Sequence, residues 1–590
     1  MKRLVFDIET DNLLDKLTKV WCMAIYDLDE EKMYTYNPDQ LEEGYKHLKS
    51  ADVLIGHNII KFDVPALKKL NKVHLDCEFI DTTNLSRLVY PDIKKQYDFK
   101  RHGKNYSLPT YLYGAHSLKA WGYRLGELKE EPPKFDEYSE KMLHYCAQDV
   151  MVNVKLYKYF ESKELSPESI NLEMKFQELM FEAEDHGVFF DEKLAQSIWT
   201  EMTDRSQTLL KEMQEIFPVI CIPKRVKGEI EVFTPSRGNK TRGYTKGCEF
   251  SKVIYQEFNP NSETQIVYRL KKNYGWEPEV FTEKGSPSLD DSVLDGIHYP
   301  VASLIQEYRM LGKRISLLNG WFKKLQKGKV HGWMITNGAI TGRCTHKVIA
   351  NIPRVDKPYG KQFRALWKAP EGYKLVGCDA KGLELRMLAH YLGKWDGGEY
   401  VQNVLGDPHT ANQKAAGLPT RDDAKTFIYA LLYGGGDGKI GSIIGKGPKA
   451  GGRLKQRFLN NIPALGRLLK YLEKRVRDKN PVNLIDMRMI LIDKLNVALN
   501  YLLQGSGALL MKRAGVIFKE LCIKEGYKWG EDVILVIHYH DEFQSYTKEA
   551  IAERVAELSN EAIIKAGEYY NLRCPMEGDP KIGNNWAETH

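Results

Sequence analysis

Two apolar runs far apart in this chain each stop at a carboxylate, and that constrains the fold more than any other feature. Lys374-Leu-Val-Gly-Cys-Asp379 ends on an aspartate, and Val533-Ile-Leu-Val-Ile-His-Tyr-His540-Asp541-Glu542 reaches acids at a turn. Short apolar runs with this β-branched content read as buried strands. A charge closing such a strand belongs at the rim of a sheet, so one sheet holding both strands would bring Asp379 and Asp541 together. Paired strand-end aspartates suit a two-metal site for in-line displacement at a phosphate.

The amino end repeats the device. Arg3-Leu-Val-Phe-Asp7-Ile-Glu9 reads as a strand, and residues two apart on a strand leave the same face, so Asp7 and Glu9 project together while Ile8 points inward. His57-Asn58-Ile-Ile-Lys61-Phe62-Asp63 adds a third carboxylate at the start of a helix from Val64. Tyr145-Cys-Ala-Gln-Asp149 places a phenol and a fourth carboxylate four apart on one helical face. Any one acid alone is more often a solvated surface group. Four acids with a tyrosine suit metal-assisted hydrolysis of a phosphodiester by two magnesium ions about 4 Å apart.

Between the two carboxyl-terminal acids, Arg421, Lys425, Tyr429 and Tyr433 recur every four residues and form one slowly drifting helical stripe. It is cationic at one end and aromatic at the other. That polarity suits a nucleotide, with phosphates on Arg421 and Lys425 and the base near Tyr429. Taken alone, the same stripe reads more readily as an amphipathic helix whose tyrosines pack into a core; the flanking aspartates turn the reading toward a nucleotide site.

At 590 residues the chain has room for about four domains. Its 43% apolar and 28% charged residues describe a folded chain. No window approaches a membrane span, Met1-Lys2-Arg3 runs straight into a strand, and nine scattered cysteines lack a CxxC pair; a reduced, cytosolic setting is expected. Residues 1–160 hold 24 Lys+Arg against 25 Asp+Glu, which leaves the basic excess to the remainder. An α/β domain is expected over 1–160 and a helical region over 161–330. Within the latter, 224–246 carries seven Lys or Arg and two Glu without an apolar period, an exposed basic loop or small ribbon. Strands return after Gly332.

The amino-terminal D-x-E, N-x3-F/Y-D and Y-x3-D motifs resemble the tyrosine-containing branch of the DEDD 3′-to-5′ exonucleases. The resemblance implies that Asp7, Glu9, Asp63 and Asp149 hold metals and that Tyr145 positions the attacking water. Asp379, Lys425/Tyr429 and His540-Asp541-Glu542 resemble motifs A, B and C of family A (Pol I type) DNA polymerases, in particular the replicative phage group. Thr341-Gly342-Arg343, Asp407-Pro-His409, Asn500-Tyr-Leu-Leu-Gln504 and Asn585-Trp586…His590 extend the match. The implied fold is multi-domain α/β: an RNase H-like exonuclease domain over 1–160, thumb over 161–330, palm over 331–392 and 500–590, and fingers over 393–499.

The implied activity is template-directed DNA synthesis with proofreading, in the cytoplasm of a phage-infected host, with two Mg2+ per active site and Mn2+ as a substitute. Asp379 and Asp541 would ligate both metals, with Glu542 beside the primer end. Glu384 would exclude a ribose 2′-hydroxyl. His409, Arg421 and Lys425 would neutralise the triphosphate, Lys425 would donate a proton to pyrophosphate, and Tyr429 and Ala380 would border the nucleotide. The Tyr429 phenol implies ready use of nucleotides lacking the 3′-hydroxyl. Arg343, Gln504, His540, Tyr433, Lys313 and Arg314 would contact primer-template DNA, mostly by shape.

Three departures stand out: Ala430 replaces a usual glycine, Lys381 lies two after Asp379, and the segment Thr345 to Pro353 is shorter than in the family. Phage relatives carry a longer thumb insertion for a thioredoxin clamp; here the Phe217–Phe258 stretch is short, so that partnership stays open, as does a helicase-primase. Its cations are expected to grip duplex phosphates. A repair or nuclease factor whose polymerase half only binds DNA is the competing reading. A single-subunit RNA polymerase is disfavoured by Glu384 and the nuclease motifs.

Overall fold

Between its polar ends β1 (Arg3–Thr10) is apolar except at its two acids, as a strand covered on both faces must be. In the computed structural model, which describes all residues except 72, 102–107, 129–130 and 283–284, it is the central strand of a mixed five-stranded sheet. The partners are β2 (Val20–Asp27), β3 (Lys32–Tyr36), β4 (Val53–Gly56) and β5 (Glu78–Asp81), in the order β3-β2-β1-β4-β5. β1 runs antiparallel to β2 and parallel to β4, and β4 is parallel to β5. Helices α1 (Asp63–Asn71) and α2 (Thr82–Val89) follow β4 and β5, and α3 (Glu140–Glu161) packs on β1 and β2.

α4 (Pro167–His186) starts from Ser166, whose hydroxyl accepts from Ser169 N, with proline in the first turn. Its Met174 completes the amino-terminal core, while Leu172, Phe176, Leu179 and Met180 enter the carboxyl-terminal core. One helix thus serves two cores, and residues Met1–Phe190 with Lys329–His590 form a single compact unit. The sequence reading grouped this helix with the thumb; its packing puts it here.

The second half of that unit opens with a hairpin of β6 (Trp333–Ile335) and β7 (Thr345–Lys347). β8 (Tyr373–Ala380) leads into α5 (Leu383–Asp396), followed by α6 (Pro408–Ala416) and α7 (Arg421–Leu432). α8 (Ala498–Lys524) is apolar on nearly all sides and runs through the core, as its burial requires. β9 (Val533–Tyr539) and β10 (Glu542–Lys548) form a hairpin, α9 (Ala552–Tyr569) crosses the sheet, and β11 (Gly578–Gly583) closes it. The order β9-β10-β8-β11 is antiparallel throughout.

Under this sheet lies a buried charge cluster. Glu173 of α4, fully buried, accepts from Lys512 Nζ at 2.7 and 2.8 Å and lies 2.7 Å from Arg488 Nη2, which also meets Asp486 at 2.7 Å. Two cations balance two carboxylates, and Lys512 also donates to Thr336 O at 2.7 Å.

The other compact unit, Asp191–Gly328, is built on two long helices, Glu192–Ile216 and Pro300–Phe322. Arg205 forks onto Glu307 with two 2.8 Å bonds, and Phe217 meets Phe258 at 4.7 Å. The basic segment forms a short ladder of Arg225–Val226 with Glu229–Ile230, and its flanks pair as Ile220–Pro223 with Val253–Gln256. Among the described residues no helix is long and apolar enough to cross a membrane.

Lys512→Met keeps side-chain length but leaves Arg488 alone to balance Glu173 and Asp486. Breaking a buried pair in this way costs about 3–5 kcal/mol, so the urea midpoint of the variant is expected to fall well below that of the parent chain.

Candidate active sites

The β9-β10-β8-β11 sheet delivers the strand-end acids to one rim. In register, Asp379 of β8 stands opposite Glu542 of β10 on one side and Asp579 of β11 on the other. Asp541 occupies the turn between β9 and β10, and its carbonyl accepts from Ala380 N at 2.9 Å, which ties the two aspartates' backbones together. That turn needs a left-handed residue, supplied by His540 at φ +59°. Burial, followed by the charges of Asp541, Glu542 and Asp579, pushes the Asp379 carboxyl up to about 8, against Lys581. Burial, then Glu384 and Glu542, push Asp541 up to about 6, against Arg343. Carboxylates forced together at this cost have the donor chemistry of a hard divalent cation site.

Glu542 is engaged below the rim. Its Oε1 accepts from Trp586 Nε1 at 2.9 Å and from Arg364 Nη1 at 3.4 Å, and its Oε2 meets His590 Nδ1 at 2.7 Å. Lys381, the unexpected cation, pairs with Glu577 at 2.6 Å. Its charge is therefore met by a carboxylate that the sequence reading did not single out.

α7 carries the predicted stripe. Thr420 caps it by accepting from Asp423 N. Arg421 forks onto the Asp407 carboxylate at 3.1–3.3 Å. Asp407 in turn caps α6 through His409 N and Thr410 N, and its carboxyl is held below the ordinary range chiefly by Arg421. Lys425 is exposed on the same helix. The rings of Tyr429 and Tyr433 lie 6.4 Å apart at 23°, and His409 is 6.4 Å from Tyr429. Tyr433 donates to Glu384 Oε1 at 3.4 Å, joining α7 to the first turn of α5. Ala430 O accepts from Gly435 N at 2.7 Å, in the turn where Gly434 has φ +76°. A side chain on Gly434 would run into the Asn496 carbonyl.

Arg343 sits at the end of a tight turn in which Gly342 N donates to Ala339 O at 2.9 Å. Its charge reaches Asp541, His540 and Tyr433. On α8, a Cβ on Gly505, the residue after Gln504, would lie 3.0 Å from Thr341 O. His540 is kept neutral by burial and by Arg343 and His346, its pKa lowered to about 4. In the separate Asp191–Gly328 unit, Lys313 is exposed 3.6 Å from Asp291, and burial lowers the Arg314 pKa. Of the ribbon cations, Lys224 meets Glu231 at 2.7 Å, while Arg237, Lys240, Arg242 and Lys246 are exposed.

At the amino-terminal site, Asp63 opens α1 and its Oδ1 accepts from Ile8 N at 3.3 Å, between Asp7 and Glu9. Burial and the charge of Asp81 push the Asp63 carboxyl up to about 7. Tyr145 and Asp149, both buried, project from α3. Cys146 Sγ next to Tyr145 donates to Asp7 O at 3.4 Å and lies 3.9 Å from Asp7 Oδ2, which fixes α3 against β1. Ligand atoms of Asp7, Glu9 and Cys146 all fall within 4.8 Å of one another.

Asp81, Asp579 and Cys146 were missed from sequence. Asp81 had a signal, an acid closing a short apolar run before two threonines. Fully buried, it accepts from Asn58 N at 3.0 Å, Ile60 N at 3.3 Å and Gln177 Nε2 at 3.0 Å. Asp579 had none, because only strand pairing places it beside Asp379.

Comparison with known proteins follows the same division. Residues 241–588 match the model for DNA polymerase family A, and residues 4–161 match the RNase H superfamily. The chain is 34% identical, over the full length of both sequences, to the DNA-directed DNA polymerases of Enterobacteria phage T3 and Escherichia phage T7. It is 26% identical to DNA polymerase I of Aquifex aeolicus over 95% of this chain and 92% of that one. The POL domain of Pol1 from M. smegmatis, solved in complex with DNA primer-template and dNTP, superposes with a TM-score of 0.77 at 15% identity. That superposition covers 99% of this chain and 96% of the other.

The electrostatics of the palm acids carry a signed pH dependence. A carboxyl whose folded pKa lies above its unfolded value binds its proton more tightly when folded, so stability falls as pH rises from 3.8 toward about 8. At about 1.4 kcal/mol per pKa unit, Asp379 contributes a loss on the order of a few kcal/mol at the alkaline end. With divalent cations chelated, thermal melting of the parent chain should decline across that window. Asp379→Asn should flatten the decline and melt higher at its alkaline end.

Proposed function

We infer the chemistry of this chain from its membership of DNA polymerase family A: it is a phage-type DNA-directed DNA polymerase with an RNase H superfamily, exonuclease-like domain at its amino end. Its substrates are read as primer-template DNA and deoxynucleoside triphosphates, and its setting as phage DNA replication in the host cytoplasm. The domain limits proposed are exonuclease 1–160, thumb 161–330 with its first helix, α4, packed on the cores of the larger unit, palm 331–392 with 500–590, and fingers 393–499. The observation that carries the reading is the convergence of Asp379 and Asp541 on one sheet rim, joined by the Ala380 N to Asp541 O bond.

Both sites use divalent cations, proposed to be Mg2+ with Mn2+ as a substitute, because the donors are hard carboxylate oxygens. Such cations, when bound, lower the barrier by neutralising charge on the phosphoryl group and its attacking and leaving oxygens. Asp379 and Asp541 would hold them at the polymerase site. Arg421 would exchange Asp407 for a triphosphate oxygen, the stronger anion for its fork. His409 would assist, and Lys425 would pass a proton from Nζ to the leaving pyrophosphate. Tyr429 would stack on the incoming base beside Ala380, while Glu384, braced by the Tyr433 hydroxyl, would close the space a 2′-hydroxyl needs. Arg343, Gln504 and His540 would follow the minor groove of the primer end. Glu542, held by Arg364, Trp586 and His590, would keep the turn that presents Asp541 in shape. At the amino-terminal site Asp7, Glu9, Asp63 and Asp149 would hold cations, and the Tyr145 phenol would orient water toward the terminal phosphodiester.

On a primed template with Mg2+ and deoxynucleotides, the chain is expected to extend the primer and to digest unpaired 3′ ends. Asp541→Ala should reduce extension by about 10³-fold or more, the scale of lost metal and electrostatic stabilisation, and leave digestion intact. Asp7→Ala with Glu9→Ala should do the reverse. A repair factor that merely binds DNA through its polymerase half would show digestion without extension in the parent chain.

The exposed cations of the ribbon are proposed to contact duplex phosphates. Replacing Arg237, Lys240, Arg242 and Lys246 by Ser should weaken primer-template binding and lower the slope of log K against log salt, by about 0.9 per lost contact. An unchanged slope would remove the ribbon from the DNA interface.

A further inference from the structure

The Thr341–Arg343 turn rests on a buried side chain that no motif singles out. Arg488, 6% exposed, follows a sharp turn at Asp486-Met487 and bonds back to Asp486 through its amide at 3.0 Å and its Nε at 2.8 Å. Its Nη2 meets Glu173, and its Nη1 reaches outward to Asn337 Oδ1 at 3.1 Å. The same Nη1 lies 3.0 Å from where a Cβ on Gly342 would stand, and Gly342 has φ +75°. A guanidinium and a left-handed glycine are thus in direct contact directly before Arg343. From the other side, Gly505 of α8 presses on Thr341 O. The turn is clamped between two elements, and Arg488 brings a charge against its glycine, while Lys512 of α8 shares the Asn337 Oδ1 acceptor at 3.2 Å.

The clamp continues toward the other active site. Asn337 Nδ2 donates to Asn84 Oδ1 at 3.1 Å, and Thr336 Oγ1 lies 3.4 Å from both Asn84 Oδ1 and Gln177 Oε1. Gln177 Nε2 donates to Asp81 Oδ2, and Asp81 is the acid whose charge raises Asp63. Every group in this path is buried. Buried polar groups with fixed partners are rigid, because breaking any bond leaves another unsatisfied.

We propose that Arg488 is a positioning residue for primer-terminus recognition: it braces the Thr341–Arg343 turn from beneath, and the firmness of that brace sets how a primer end divides between synthesis and digestion. The proposal rests on the reading of Arg343 as a primer contact. A turn that yields lets the terminus leave the palm more often, so matched ends reach the amino-terminal site that should receive only mismatched ones.

The test uses the full-length chain on a matched primer-template with the next correct deoxynucleotide and Mg2+. It records nucleoside monophosphate released per nucleotide stably added, and in parallel the digestion rate on single-stranded DNA. Arg488→Lys keeps one positive charge in the cluster but removes the second arm that reaches Asn337 and Gly342. It should raise the release ratio by about tenfold, the worth of one charge-assisted hydrogen bond, with single-stranded digestion unchanged. Arg343→Ala should raise the ratio similarly, and the double variant should go no further than the larger single, since both act on one turn. Should Arg488→Lys lose its cooperative unfolding transition, Asn337→Ser is read in its place with the same expectations. A lowered melting temperature with an unchanged ratio would make Arg488 structural only and overturn the proposal, as would additive effects in the double variant. If Arg343→Ala itself leaves the ratio unchanged, the reading of Arg343 as a primer contact fails first, an outcome separate from a failure of Arg488 alone.

Discussion

Glu173 is a carboxylate with no access to water, and a charge in that position must be neutralised where it stands. Its partners Lys512 and Arg488 come from segments more than 300 residues later in the chain. The exonuclease-like sheet and the palm share one compact unit because α4 supplies both an apolar stripe to each core and this acid to their common floor. An apolar contact tolerates sliding by an ångström. Paired buried charges do not, so the cluster sets the register of α4, α8 and the Asp486–Arg488 turn together.

Above that floor the chain spends stability on function. Asp379, Asp541 and Asp63 are all held in states that disfavour their own ionisation, by burial and then by the carboxylates beside each of them. A fold selected for stability alone would separate these acids or pair them with cations. Here Lys381 is directed to Glu577 and Arg364 to Glu542, while Lys581 and Arg343 offset only part of the shift at Asp379 and Asp541. The acids are left to repel until a divalent ion joins them, and that is what gives such a rim its affinity for metal.

Much of this was open to inspection in the residues. Strands ending in Asp379 and Asp541, the Asp7/Glu9 pair, and the helix bearing Arg421 to Tyr429 follow from periodicity and from where polar residues interrupt it. The engagement of Arg421 by Asp407 was not, because a fork depends on the approach of α6 to α7. Nor was the role of Asp579, which only antiparallel pairing of β11 sets beside Asp379. Lys381 looked like an intruder among metal ligands until Glu577 was found 2.6 Å away.

Local pattern therefore determined which segments are strands and helices, and which carboxylates stand at their ends, since those depend on neighbours within a few residues and on the period of the backbone. Family membership too was written in the order and spacing of motifs. Tertiary structure alone decided which charges meet: Glu173 with Lys512 and Arg488, Glu542 with Trp586 and His590, and Gly342 with the guanidinium beneath it. Those pairings join residues far apart in the chain, and electrostatic and hydrogen-bond energies depend on distance in space, which sequence separation does not encode.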